Sequence, residues 1–144
     1  MVTLDADALT PRLLNEKLRE LLAQGEEIVV ENPRSRHNLG VALPGPGHVT
    51  FKGSVGYYCG GLSNGCSAEI AGNAGWGIGE SMAKGFIRVR GSVGQSVGAS
   101  LRGGTIVVEG DAGPRAGVAQ KGGPVVVGGS IGFLSGLMAQ RGKL

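Results

Sequence analysis

At 144 residues the chain is long enough for one domain with a real core and short for two. Its 29 glycines lack the strict three-residue period of collagen, and an apolar fraction of 41% argues against a disordered linker. The net charge of +3 includes no Lys/Arg run of the kind that reads as a nucleic-acid patch, and no apolar stretch approaches the length that crosses a membrane.

The N-terminal stretch MVTLDADALT is acidic and lacks a long apolar run, so it does not read as a secretion signal. With only Cys59 and Cys66, seven apart and without a histidine cluster, a disulfide framework and a zinc site are both disfavoured, and a cytoplasmic location is expected. A helix follows: Thr10 is placed to cap it, Pro11 suits its first turn, Leu14, Leu18 and Leu21 or Leu22 form its apolar stripe, and Gly25 stops it. EIVVEN predicts a strand with Ile28 and Val30 on one side, and NPRSRHNLGVAL predicts a turn and then a strand with Leu39, Val41 and Leu43. Residues 1–52 are expected to form an N-terminal helix and capping strands, and residues 53–144 a run of repeats in one continuous domain.

The repeat is read from the glycines. GSVG at 53, GNAG at 72, GSVG at 91, GDAG at 110 and GSIG at 129 recur every 19 residues without insertion. Counting each repeat from its first glycine as slot 0, that slot holds Gly53, Gly72, Gly91, Gly110 and Gly129. Slot 3 holds Gly56, Gly75, Gly94, Gly113 and Gly132, and slot 7 holds Gly60, Gly79, Gly98, Gly117 and Gly136. Slot 13 is glycine at 85, 104, 123 and 142, with Cys66 the exception. Slot 15 (Ala68, Ile87, Ile106, Val125, Leu144) and slot 17 (Ile70, Val89, Val108, Val127) alternate as a strand does, and Val49 and Phe51 fall where those slots would lie in a preceding coil. A repeat too short to bury its own face must stack on its neighbours. Nineteen-residue coils turned by glycine predict an all-β fold, a single-stranded right-handed parallel β-helix. Slots 15, 17 and 2 should face inward, and a ladder of Ser54, Asn73, Ser92, Asp111 and Ser130 should run up one corner. The glycines are therefore read as turn residues. A phosphate loop is excluded, because neither GxxxxGK[ST] nor GxGxxG occurs, and the glycines of GWGIG at 75–79 are repeat slots.

Chemistry is sparse in this pattern. Glu69, Glu80, Glu109 and Asp111 occupy different slots and are expected to be solvated; His37 and His48 have no evident nucleophile or metal spacing; Cys59 shares slot 6 with Ile78, Val97 and Ala116 and reads as a small buried hydrophobe. No residue of this chain is expected to be catalytic, to bind a cofactor or to ligate a metal. Lys84, Arg102, Lys121 and Arg141 fall at slots 11 and 12, as a solvated ridge or a docking surface for an acidic partner. Slot 4 (Tyr57, Trp76, Gln95, Pro114, Phe133), with Tyr58 and Leu134 beside it, puts aromatic bulk on one side; core packing is the favoured expectation, an exposed interface the other. Arg34, Arg36, His37 and Asn38 in the NPRSRHN turn, with Tyr57 and Tyr58, are the candidate partner contacts.

The 19-residue G-x-x-G-x-x-x-G repeat resembles the GXGXG domain, a right-handed β-helix found at the C-terminus of the glutamate synthase large subunit and in a subunit of formylmethanofuran dehydrogenase. The resemblance runs from about Glu27 onward. The chain's size, its N-terminal helix, NPRSRHNLGVAL and GSVGYYCGG look closest to the small GXGXG subunit of N-methylglutamate synthases, which join methylamine and glutamate with release of ammonia. The resemblance implies a non-catalytic scaffold. It would hold a glutamine-amidotransferase-like subunit and an FMN-binding, glutamate-synthase-like subunit together, beside a route for ammonia or an amine. FMN, with an iron–sulfur cluster as a further option, would sit in the partner. Such relatives are expected to continue for several more coils, so an end at Leu144, in mid-repeat, implies a longer chain or a partner over that edge. The other readings are an independent β-helix acting as a binding or structural module, or the equivalent subunit of formylmethanofuran dehydrogenase. Neither a membrane nor a nucleic acid is an expected partner.

Overall fold

A computed structural model describes residues 1–144. Eight strands form one sheet in chain order, every neighbouring pair parallel: β1 (Val2–Asp5), β2 (Glu27–Glu31), β3 (His48–Lys52), β4 (Asn64–Ile70), β5 (Lys84–Val89), β6 (Thr105–Val108), β7 (Lys121–Val127) and β8 (Arg141–Lys143). Parallel neighbours need a crossover, and here each crossover is the rest of a coil, so the chain winds as a right-handed parallel β-helix of about 6 turns. The register follows the repeat. Val49, Ala68, Ile87, Ile106 and Val125 stand opposite one another in sequence, as do Phe51, Ile70, Val89, Val108 and Val127.

The predicted inward slots are filled as expected through most of the rod. Slots 15 and 17 are buried from Val49 to Val125, and Val55, Ala74, Val93 and Ala112 at slot 2 are buried and bridged coil to coil. Two further inward columns complete the core: slot 6 (Cys59, Ile78, Val97, Ala116) and slot 10 (Ser63, Met82, Leu101, Gln120). At the last coil the pattern stops being buried, and Ile131 and Leu144 are each 49% and 47% exposed. Of 98 backbone hydrogen bonds only 34 lie within the strands and helix. The rest hold the turns, so the corners are laddered as the sheet is.

The corner ladder is made by side chains as well. Ser54 Oγ accepts from Asn73 N–H, Asn73 Oδ1 from Ser92 N–H, Ser92 Oγ from Asp111 N–H and Asp111 Oδ1 from Ser130 N–H, at 2.8–3.0 Å. The slot-0 glycine of each next coil makes room for this: a Cβ on Gly72 would lie 2.8 Å from Ser54 Oγ. The slot-3 glycines pass just as close to the coil beneath; a Cβ on Gly75 would lie 2.8 Å from the carbonyl carbon of Gly56. Only at slot 7 do glycine and left-handed backbone coincide in all five coils, with φ of 63–76°.

Three features depart from the sequence reading. First, Val2–Asp5 is a strand, β1, paired with β2 through Val2↔Ile28 and Leu4↔Val30. Second, residues 32–43 form no strand. Asn32, Arg34, Ser35, Asn38 and Ala42 all adopt positive φ, which no extended run allows, so the segment is the irregular side of the first coil. It still buries Leu39 and Leu43, while Val41 stays half-buried. Third, Cys66 interrupts the slot-13 glycines because β4 and β5 shift register between Asn64 and Ser67. Gly65 takes the left-handed conformation that Gly85 takes in the next coil, with φ of 113° and 117°.

The helix α1 (Pro11–Ala23) crosses between β1 and β2. Thr10 Oγ1 caps it by accepting from Leu13 N–H, and Leu14, Leu18 and Leu22 are fully buried against the first coil. Asn15 is the buried polar group of this packing. Its amide donates to the Asn38 carbonyl at 2.8 Å and its Oδ1 accepts from Gly40 N–H at 2.6 Å, so the helix is stitched to the irregular segment at both ends of one side chain.

Candidate interaction face and side cleft

Coils in register superpose equivalent side chains about 4.8 Å apart. At slot 4 this builds a column of rings. His37 stacks on Tyr57 with centroids 4.0 Å apart, and Tyr57 on Trp76 at 5.0 Å, the planes within 16–22° of parallel. The Tyr57 backbone N–H donates to His37 Nδ1 at 2.9 Å, fixing the imidazole in the stack. The favoured expectation of core packing for slot 4 does not hold. Tyr57, Trp76 and Phe133 are 38%, 49% and 71% exposed. Between the inward slots 2 and 6 the chain turns, with left-handed φ of 59–72° at slot 5, and this turn carries slot 4 to the outside. His37 escaped the repeat arithmetic because it stands 20 residues before Tyr57 rather than 19.

The other residues of the NPRSRHN turn point elsewhere. Arg34 Nε donates to Asp7 Oδ1 at 2.8 Å, and Arg36 donates to the same carboxylate and to the Ala6 carbonyl. Hydrogen bonds from Arg34 first and Arg36 next hold the Asp7 carboxyl below the usual carboxylate range. Asn38 contributes its backbone, donating N–H to the Tyr57 carbonyl at 2.8 Å and accepting from Asn15. Tyr58 stands apart from the ring column and, with Val41, Gly61, Leu62, Glu80 and Ser81, lines a side cleft of about 160 Å³. Desolvation in that cleft raises the Glu80 carboxyl above its ordinary value.

No group here is arranged as a nucleophile. Cys59 and Cys66 are buried in the coil, and burial pushes both thiols up, away from the reactive thiolate. Sealed in the core, they do not fit an iron–sulfur cluster, and no three of His, Cys, Asp and Glu gather as a metal set. His48 does meet a serine, contrary to the sequence reading: its Nδ1 lies 2.9 Å from Ser67 Oγ and its Nε2 3.1 Å from Thr50 Oγ1. The three stand on the outer face of the sheet, where no cleft forms around them, and no carboxylate orients the ring. Glu69 and Glu109, expected to be solvated, are joined by Arg88 of β5 and Arg90 just beyond it: Arg90 pairs with both and Arg88 with Glu109 at 3.2 Å. A spacing of 19–21 residues between opposite charges was the signal for this network. No helix is long and apolar enough to cross a membrane.

No family model matches the chain, and no solved structure matches it. Over 81 residues it is 39% identical to Protein GlxC of Rhizobium meliloti (strain 1021), a stretch that covers 54% of this chain and 36% of that relative. The chain thus matches about a third of a longer, curated protein to which it is similar.

Proposed function

We propose that this chain is a non-catalytic scaffold subunit of a glutamate-synthase-like complex of the N-methylglutamate synthase type. It joins a glutamine-amidotransferase-like subunit to an FMN-binding, glutamate-synthase-like subunit and flanks the route of ammonia or an amine. The observation that carries this reading is the exposed column of His37, Tyr57 and Trp76 on a rod whose inner columns are filled by side chains. Rings held rigid by stacking lose little entropy on association, which suits them to a protein interface. The similarity to Protein GlxC supports the coarser part, a glutamate-synthase-related small subunit; the identity of the partners rests on the resemblance of the glycine repeat. FMN, and any iron–sulfur cluster, belongs in this reading to the partner, in the cytoplasm.

The test is co-expression with the two suspected subunits. The chain is expected to bring down a flavin-coloured complex, and alone to show no flavin absorbance and no glutaminase or transferase turnover. Replacing Trp76 with Ala is expected to weaken association by about tenfold, the scale of a 1–2 kcal/mol interface contact. Turnover by the isolated chain sinks the scaffold reading. A folded chain that associates with neither subunit is instead an independent binding module.

A further inference from the structure

One coil breaks the repeat at two slots. Slot 8 is Gly61, Ala99, Val118 and Leu137 in the other coils, but Glu80 in the coil that begins at Gly72. Slot 5 is Tyr58, Ser96, Arg115 and Leu134 elsewhere, but Gly77 here. The two departures meet in space. A Cβ on Gly77 would lie 2.9 Å from Glu80 Oε2 and 3.4 Å from Cδ1 and Cε1 of Tyr58. The missing side chain at 77 is therefore what lets the Glu80 carboxylate and the edge of the Tyr58 ring both close on the Gly77 backbone, at the side of the cleft that Tyr58 and Glu80 line. Backbone geometry does not demand a glycine at this slot, since Tyr58, Ser96, Arg115 and Leu134 all take φ of 59–65° there.

Glu80 is held in place by its backbone, its N–H donating to the Gly77 carbonyl at 3.1 Å and its carbonyl accepting from Leu62 N–H at 2.8 Å. No hydrogen bond or ion pair from the protein reaches its carboxylate, and Val41 and Leu62 make the cleft apolar around it. A half-desolvated carboxylate without a partner is matched by a cation, and the face of a tyrosine ring attracts cations too. A single carboxylate falls short of the six or more oxygens that calcium takes. The volume of about 160 Å³ lies below the roughly 300 Å³ at which drug-sized pockets begin, which limits the occupant to a few heavy atoms.

We propose that Glu80 and Tyr58, brought side by side over Gly77, form a binding site for the ammonium group of a small amine, the carboxylate pairing with the charge and Tyr58, Val41 and Leu62 covering the alkyl part. The ammonium belongs either to a free alkylamine or to a lysine side chain of another protein. The site stands whether or not the partner subunits are those proposed above.

The full chain is titrated with methylammonium chloride, and with sodium chloride at equal ionic strength, while the Glu80 side-chain carboxyl resonance is followed by NMR. Methylammonium is expected to give a saturable shift at millimolar concentration and to lower the Glu80 titration midpoint, because a bound cation favours the carboxylate. Glu80→Gln is expected to abolish saturation at other cleft resonances, and Tyr58→Leu to weaken binding by about twofold to fivefold, the scale of an exposed cation–π contact. Gly77→Ser, which copies the residue type of Ser96 at the same slot, is expected to keep the native circular dichroism and lose binding. Nα-acetyl-lysine amide separates the sources: saturation by it alone assigns a lysine of a partner, and saturation by methylammonium assigns a free amine. The site is overturned if neither amine saturates, if sodium chloride reproduces the shift, or if folded Glu80→Gln binds undiminished.

Discussion

Slots 7 and 9 share a left-handed backbone but not a residue type, and the difference lies in where a Cβ would point. Leu62, Ser81, Ser100, Ala119 and Met138 hold φ of 53–59° at slot 9 with their side chains free of the core. At slot 7 a Cβ on Gly98 would lie 2.8 Å from Val125 Cγ2, inside the rod. Left-handed φ costs an L-residue about 1–2 kcal/mol, which slot 9 tolerates; at Gly60, Gly79 and Gly98 of slot 7 a Cβ would meet an isoleucine or valine of the core at 2.4–2.8 Å, and that clash excludes every residue but glycine there. Gly98→Ala is therefore expected to destabilise the fold by about 2–4 kcal/mol, combining the φ cost with core overpacking, whereas Ser100→Ala stays within about 0.5 kcal/mol. Denaturant midpoints of the two variants check the contrast. Glu80 provides a second residue-scale expectation. Its folded carboxyl titrates above the ordinary 4.5, so ionisation opposes folding: stability is full below that value and declines as pH rises through the folded midpoint. Glu80→Gln should melt higher than the wild type at pH 7, and the advantage should vanish in acid.

At the scale of elements, the N-terminal cap is held by a polar latch as well as by its leucines. β1 and the start of α1 are tied to the first coil through Asp7 with Arg34 and Arg36, through Asn32 Nδ2 on Asp5 Oδ1 at 3.0 Å, and through Ala6 N–H on the Glu31 carbonyl at 2.9 Å. Asp7 titrates below its ordinary 3.8, so the latch is in full force above that value and is lost as pH falls through the lower, folded midpoint. Asp7→Asn should reproduce the acid state at neutral pH. Amides of Thr3 and Leu4 should exchange faster while those of Ile87 and Val89 keep their protection, as hydrogen–deuterium exchange can read residue by residue. Uniform loss of protection across all strands would mean that the latch holds the whole fold, not its edge.

For the whole molecule, stability is a sum over nearest-neighbour stacks. The interior coils are covered on both sides: Ile70, Val89 and Val108 are fully buried in successive strands, whereas every residue of β8 is exposed. Amide exchange at neutral pH is therefore expected to be slowest in β4–β6 and fastest in β8. An even distribution of protection would overturn the stacked-coil energetics. The same architecture explains the aromatic column: in-register stacking sets equivalent slots one above another, so His37, Tyr57 and Trp76 form one stack, which ends where slot 4 becomes Gln95 and Pro114.

The 19-residue recurrence of glycine and the slot-15 and slot-17 alternation determined the β-helix, its inward columns at slots 15, 17 and 2 and its corner ladder, because in a solenoid each coil's neighbour is the same slot one repeat away; the slot-10 column of Ser63, Met82, Leu101 and Gln120 came only with the structure. The α1 helix was equally legible from Thr10, Pro11 and its leucine spacing. The tertiary structure alone decided the rest, wherever neighbours are not 19 apart. The irregular segment at 32–43, expected to be a turn and then a strand through Leu39, Val41 and Leu43, carries five left-handed residues besides Gly40 whose φ no composition announces. β1 is too short to read alone and exists because β2 offers it an edge. Slot 4 was read inward from its hydrophobicity, but its direction is set by the left-handed turn at slot 5, between the inward slots 2 and 6. The meeting of Tyr58 with Glu80 over Gly77 joins two coils, and the latch of Asp7 with Arg34 and Arg36 spans 27–29 residues, distances that only the wound chain brings to contact.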